Sequence, residues 1–233
     1  MGSTRHTVVD LGRVLREAAR GMFPEADGSW ERAGLWRRGL EAVVAFTGHA
    51  YLAVGDDLTD VELEAMGVDG FGGAHHPHVA ERIRGTGWAD SLDVLLVRVN
   101  PIVRRSLVAP ELVARPDLGT HPRVVTAQQV RTGIEVLGLP ARRSRSLVTI
   151  AEGGLGGLTE IGMEAHGDQP GRELLLGALR WTATHLDPTL PLLASVAAGN
   201  ARSLRLFLGA GFVPVGSVQL FRPERHPFIV PPG

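Results

Sequence analysis

The sequence predicts an α/β fold with an additional N-terminal α/β region. Short apolar runs of strand length, Ala42–Phe46, Ala50–Val54 and Leu92–Val99, alternate with segments whose apolar residues recur at helical spacing. Residues 158–212 then read as strand, tight polar loop, long helix, short buried strand and second helix.

Taken in order, Val8–Arg20 is an amphipathic helix, with Leu11, Val14, Leu15 and Ala18 on one side. Phe23-Pro24 and Asp27-Gly28 break it, and Trp30–Leu40 reads as a second helix. Ala42–Phe46 and Ala50–Val54, joined through Thr47-Gly48-His49, form a strand pair. Asp57–Met66 is a short helix with an acidic first turn, residues 68–77 are glycine-rich loop, and His78–Arg84 is helical. Asn100–Pro122, proline-rich and without periodicity, is a connector or a loop covering one mouth of a site. Arg123–Val130 reads as helix. Thr132–Leu139 and Ser146–Glu152 are strands around an arginine-rich turn, Ala141–Arg145.

The strand Leu158–His166 follows. The loop Gly167–Gly171 opens a helix carrying Leu174, Leu175, Ala178, Leu179 and Leu186 on one face, which must stop near Asp187 because Pro188 cannot continue it. Leu192–Ala197 is a buried strand, and Asn200 caps a last helix that Gly209 and Gly211 end. Residues 1–122 are expected to be the added N-terminal region and 123–233 the ligand-binding domain.

Composition limits the function. With 44% hydrophobic and 21% charged residues, the chain has ample core for an ordinary globular protein. Its net charge of −1 gives no reason to expect nucleic acid or an acidic membrane as partner. Arginine dominates the basic residues, and with the Gly, Ala, Val and Leu load this fits a high-GC bacterial genome. The chain has no cysteine, which removes disulfides, thiolate metal sites and cysteine nucleophiles. No apolar run approaches about eighteen residues, so a cytoplasmic enzyme is the expectation.

The loop before Gly171 is the natural anion site, because free N–H groups and the helix dipole point at one spot. Here the residues carry a resemblance. Gly171-Arg172-Glu173-Leu174-Leu175 resembles the end of the pyrophosphate loop of the GNAT (GCN5-related N-acetyltransferase) superfamily. Asn200-Ala201-Arg202-Ser203, followed by Phe207 and Gly211-Phe212, resembles its later signature. The resemblance covers Arg131 to Arg222. It implies a mixed GNAT-type sheet whose Leu158–His166 strand splays from the next to admit a pantetheine arm. It also implies transfer of an acetyl group from acetyl-CoA, as co-substrate, to the amine of a small-molecule acceptor. Direct attack in a ternary complex needs no metal and no covalent intermediate.

The resemblance places the cofactor against Met163, Glu164 and Ala165, against Gly167, Asp168, Gln169, Gly171 and Arg172 of the loop, and against Asn200 and Ser203. The loop is degenerate: His166 stands at the usual Gln/Arg, Gln169 at the first glycine, and Pro170 lacks an N–H. Phe207 stands where many members carry the tyrosine that protonates the leaving thiolate, which leaves Ser203 for that task. Another acyl-CoA, an acyl carrier protein, or a non-catalytic binding role are the alternatives that these departures keep open.

Alternation along Leu158–His166 puts Glu160, Gly162, Glu164 and His166 on one face. A carboxylate on a core strand is either a general base or half of an ion pair, and arginines such as Arg131 or Arg145 are available. Glu160 is the first candidate base and Glu164 the second. His75, His76 and His78 lack the spaced partner of metal motifs and read as a solvated loop. The first hundred residues, with Trp30, Trp36, Phe71 and Trp88, are expected to shape the acceptor pocket or a homodimer contact.

Overall fold

Asp10 opens the first helix, α1 (Leu11–Ala18), by accepting a hydrogen bond from the Gly12 N–H at 2.9 Å. The computed structural model of the chain describes residues 8–99, 109–140, 145–166 and 171–225. The expected stripe of Leu11, Val14, Leu15 and Ala18 is buried. Trp30–Leu40 is a correction: instead of a helix, Trp30–Arg32 is a strand, β1, lying parallel to β3 (His49–Ala53). Gly34 and Gly39 interrupt the apparent helical spacing, Gly39 at φ +75°, and pairing with a neighbouring strand decides the outcome.

β2 (Glu41–Phe46) turns into β3 through Thr47-Gly48, with Gly48 at φ +72°. A Cβ there would also meet Ala26 at 2.7 Å, so the turn requires glycine twice over. Thr59 caps α2 (Asp60–Ala65), and α3 (Pro77–Arg84) begins on Pro77. β4 (Trp88–Ala89) and β5 (Asp93–Arg98) complete the N-terminal part.

Two residues of the connector form β6 (Val113–Ala114), and His121 caps α4 (Pro122–Val130). Residues 100–108 of that connector and 141–144 of the arginine-rich turn lie outside the described residues. β7 (Thr132–Gly138), β8 (Leu147–Gly153) and β9 (Thr159–Glu164) form a meander. α5 (Gly171–His185), β10 (Leu192–Ala197), α6 (Ala201–Gly209) and β11 (Val213–Arg222) follow. β4 and β11 were not expected from the sequence.

The eleven strands among the described residues form one mixed sheet in the order β1-β3-β2-β11-β5-β10-β9-β8-β7-β6, with β4 paired to β11. β5 lies antiparallel to both β10 and β11, so a strand from residues 1–122 sits in the middle of the sheet. α1 covers one face over β2 and β5 with Val14, Leu15, Val44 and Leu95. α5 and α6 cover β8–β10 through Leu174, Leu175, Ala178, Phe207 and Phe212. α4 packs Val124 against Leu147 in a smaller cluster. Among the described residues no helix is long and apolar enough to cross a membrane.

One pairing positions the site. β9 and β10 run parallel but are paired only at Leu192 with Thr159 and Leu193 with Glu160. Beyond those residues the strands separate, and the β10-facing edge of β9 is left open from Ile161 on, as the resemblance implies.

Candidate functional site

Two cavities meet at this gap. The larger, about 800 Å³, lies at the starts of α5 and α6. Met163, Glu164 and Ala165 reach it from the end of β9, Gly171 and Arg172 from α5, and Asn200 and Ser203 from α6. Each of these is a residue that the sequence marked, and the fold brings them together. Gly167, Asp168 and Gln169 lie outside the described residues. Sequence reasoning missed Arg123, Arg202 and Arg205, which also line the cavity. Arg202 and Arg205 could have been found, because a spacing of three on a helix puts both on one face. Arg123 comes from a distant helix and leaves no local signal.

Among the described residues, four arginines and one carboxylate, Glu164, line this cavity, which gives it a positive wall. The Asn200 side chain accepts from the Ser203 N–H at 3.0 Å, fixing the start of α6.

Glu160 does not line either cavity. It is 3% exposed, ion-paired with Arg131, and accepts from Ser195 Oγ at 2.7 Å. Burial alone would raise its pKa, but the charge and hydrogen bond of Arg131 together with Ser195 hold it below the usual carboxylate value. Its surroundings fit the ion-pair role that the sequence weighed beside catalysis, with Arg131 as the partner. Glu164 is the candidate carboxylate on a cavity wall. Its carboxylate lies 3.0 Å from His166 Nε2 and 4.0 Å from His121 Nδ1.

His121, Glu164 and His166 each offer a ligand atom within 4.8 Å of the others. His121 Nδ1, however, accepts the Arg123 N–H at 3.2 Å as the cap of α4. That cap occupies Nδ1 of His121.

The smaller cavity, about 180 Å³, opens on the α4 side of the sheet. Thr149 and Gly162 line it from β8 and β9, and Ser195 lines it from β10. Asp90, Ser91 and Asp93, at and just before β5, form one wall, and Arg123 and Arg131 another. Arg123, Met163, Asn200 and Ser203 line both cavities, so the two adjoin through the splayed strands. Gly162 is required here: a Cβ would fall 2.7 Å from Thr149 Oγ1 and 3.0 Å from Arg123 Nη2. The Arg123 guanidinium fills part of the room that the missing side chain leaves.

Phe207 is 3% exposed and packs edge-on against Phe212, with ring centroids 5.0 Å apart, while it also lines the smaller cavity. Phe207→Tyr is expected to lower unfolding free energy by about 1–3 kcal/mol, because its hydroxyl enters an apolar cluster without a partner. Chemical denaturation measures this, and unchanged stability would show that the hydroxyl reaches the smaller cavity.

No family model matches the chain, and no curated protein matches it in sequence. Among solved structures, a GCN5-related N-acetyltransferase from Kribbella flavida is similar, at 12% identity and a TM-score of 0.34. The match covers 63% of this chain and 67% of that one. A likeness of that extent says nothing about activity.

Proposed function

We propose that the protein is an acyltransferase of GNAT type. It moves an acetyl group from acetyl-CoA to the amine of a small-molecule acceptor, by direct attack in a ternary complex. The carrying observation is the parting of β9 from β10 beside a cavity walled by Arg123, Arg172, Arg202 and Arg205. Arg172, Arg202 and Arg205, with the start of α6, hold phosphate oxygens. The open edge of β9 at Met163–Ala165 offers backbone groups to the pantetheine amides and polarises the thioester carbonyl. Ser203, shared by both cavities, donates to the departing thiolate, a task the buried Phe207 cannot perform.

Acetyl-CoA at a hundredfold excess over its Kd is expected to raise the melting temperature by about 5–10 °C. Thermal denaturation with and without the ligand measures this. Absence of any shift at millimolar acetyl-CoA would overturn the reading. A shift without thiol release on any acceptor would favour the second reading, a binding module, for which the missing tyrosine at Phe207 speaks.

A further inference from the structure

The smaller cavity carries charges of both signs, and their arrangement selects among amines. Arg123 projects into it against Gly162 and forms no ion pair with a carboxylate among the described residues. Glu160, Glu164 and Asp90 act on its charge only from a distance. Across the cavity, Asp93 accepts from Ser91 Oγ at 2.7 Å and has no cationic partner within ion-pair distance among the described residues. Asp90 stands beside it. Arg131, the other cation of the wall, is already held by Glu160.

An ammonium ion alone would satisfy the carboxylates but leave Arg123 facing it as a like charge. A carboxylate alone would meet two more carboxylates. A molecule bearing both groups pairs each wall with its opposite. The cavity, about 180 Å³, is the smaller of the two and suits a small acceptor.

Resting on the acetyl-transfer reading, we infer that the acceptor is a small zwitterion of the amino acid class. Its carboxylate is held by Arg123, and its ammonium by Asp90 and Asp93, with Asp93 the group that takes its proton. The balance is simple. The ammonium gives one proton to Asp93, and the freed nitrogen lone pair forms the C–N bond at the thioester carbonyl carbon. The C–S bond breaks with its electrons on sulfur, and the second N–H proton neutralises the thiolate. Asp93 passes its proton to solvent. Burial raises the pKa of Asp93, which moves the carboxyl toward the working range of a base, while the Ser91 hydrogen bond and Arg123 pull it the other way.

The test uses the full chain saturated with acetyl-CoA, the standard amino acids, and for each its decarboxylated amine. Thiol release reads turnover, and calorimetry with coenzyme A reads the donor site separately. At least one amino acid should be acetylated with kcat/KM about 100-fold above its decarboxylated amine. Arg123→Gln should abolish that preference with coenzyme A affinity unchanged. Asp93→Asn should lower kcat by about 100-fold to 10,000-fold, again with unchanged coenzyme A affinity. Decarboxylated amines used as well as amino acids, or no amino acid used at all, would overturn the inference and leave the donor reading standing. So would loss of coenzyme A affinity in Arg123→Gln, which would assign that arginine to the donor phosphates. Failure of coenzyme A to bind the native chain instead strikes at the donor reading. In that event amino acid binding to the free protein, read by melting temperature, decides whether the cavity takes zwitterions.

Discussion

Glu160→Gln is expected to destabilise the protein by about 3–5 kcal/mol, a fall in melting temperature of roughly 6–20 °C. The glutamate is 3% exposed and its partner Arg131 is 16% exposed, so the substitution leaves a buried guanidinium without its counter-charge. Ser195 keeps an acceptor in the amide oxygen, and the loss is therefore mostly that of the charge. Removing Arg131 together with Glu160, as Glu160→Gln with Arg131→Met, should cost less than the single change. The apolar side chain needs no partner.

The sign of the pH dependence follows from the depressed pKa. A carboxyl that is more acidic in the folded state adds stability that is complete above its unfolded value. That stability is lost as pH falls through the folded value. Glu160→Gln should remove this part of the acid sensitivity. If the variant keeps wild-type stability while turnover falls by two or more orders of magnitude, Glu160 is the general base and the ion-pair role fails.

The second large effect is expected at the donor cavity. Gly171→Glu should lower coenzyme A affinity by about 100-fold or more, since a like charge set against a phosphate costs several kcal/mol. Gly171 begins α5 on the wall shared with Arg172, and a carboxylate there would occupy the arginines that phosphate oxygens need. The fold should persist. A Cβ at this position meets Leu206 Cδ2 at 3.2 Å, the end of a flexible side chain, and an acidic residue suits a helix start. Gly171→Ala, which adds bulk without charge, should keep most of the affinity. Unchanged calorimetric binding in Gly171→Glu would remove coenzyme A from this cavity.

The strand–helix order from β7 to α6 was legible in the sequence because each element carries its own period and punctuation. Pro188 ends α5, Asn200 caps α6, and alternation along β9 separates Glu160, Gly162 and Glu164 from Ile161 and Met163. The hairpin at Thr47-Gly48 was legible for the same reason. Trp30–Arg32 was not. Three residues hold no period of their own, and β1 exists only because β3 lies alongside it.

At the candidate site, the sequence by itself determined the strand β9, the helix starts and the residues on them, since these are local properties of spacing and capping. The open edge of β9 was implied only by the resemblance. The sequence could not say what each side chain would face. Glu160 reads the same on paper whether it meets a substrate or Arg131, and the choice was made by α4 folding back so that position 131 falls over position 160. The wall formed by Asp90, Ser91 and Asp93, and its meeting with Arg123 across the splayed strands, were likewise decided only by the tertiary structure. The physical reason is that charge pairing and cavity shape depend on distances of a few ångströms between residues far apart in the chain. Periodicity reports only which face of its own element a residue occupies.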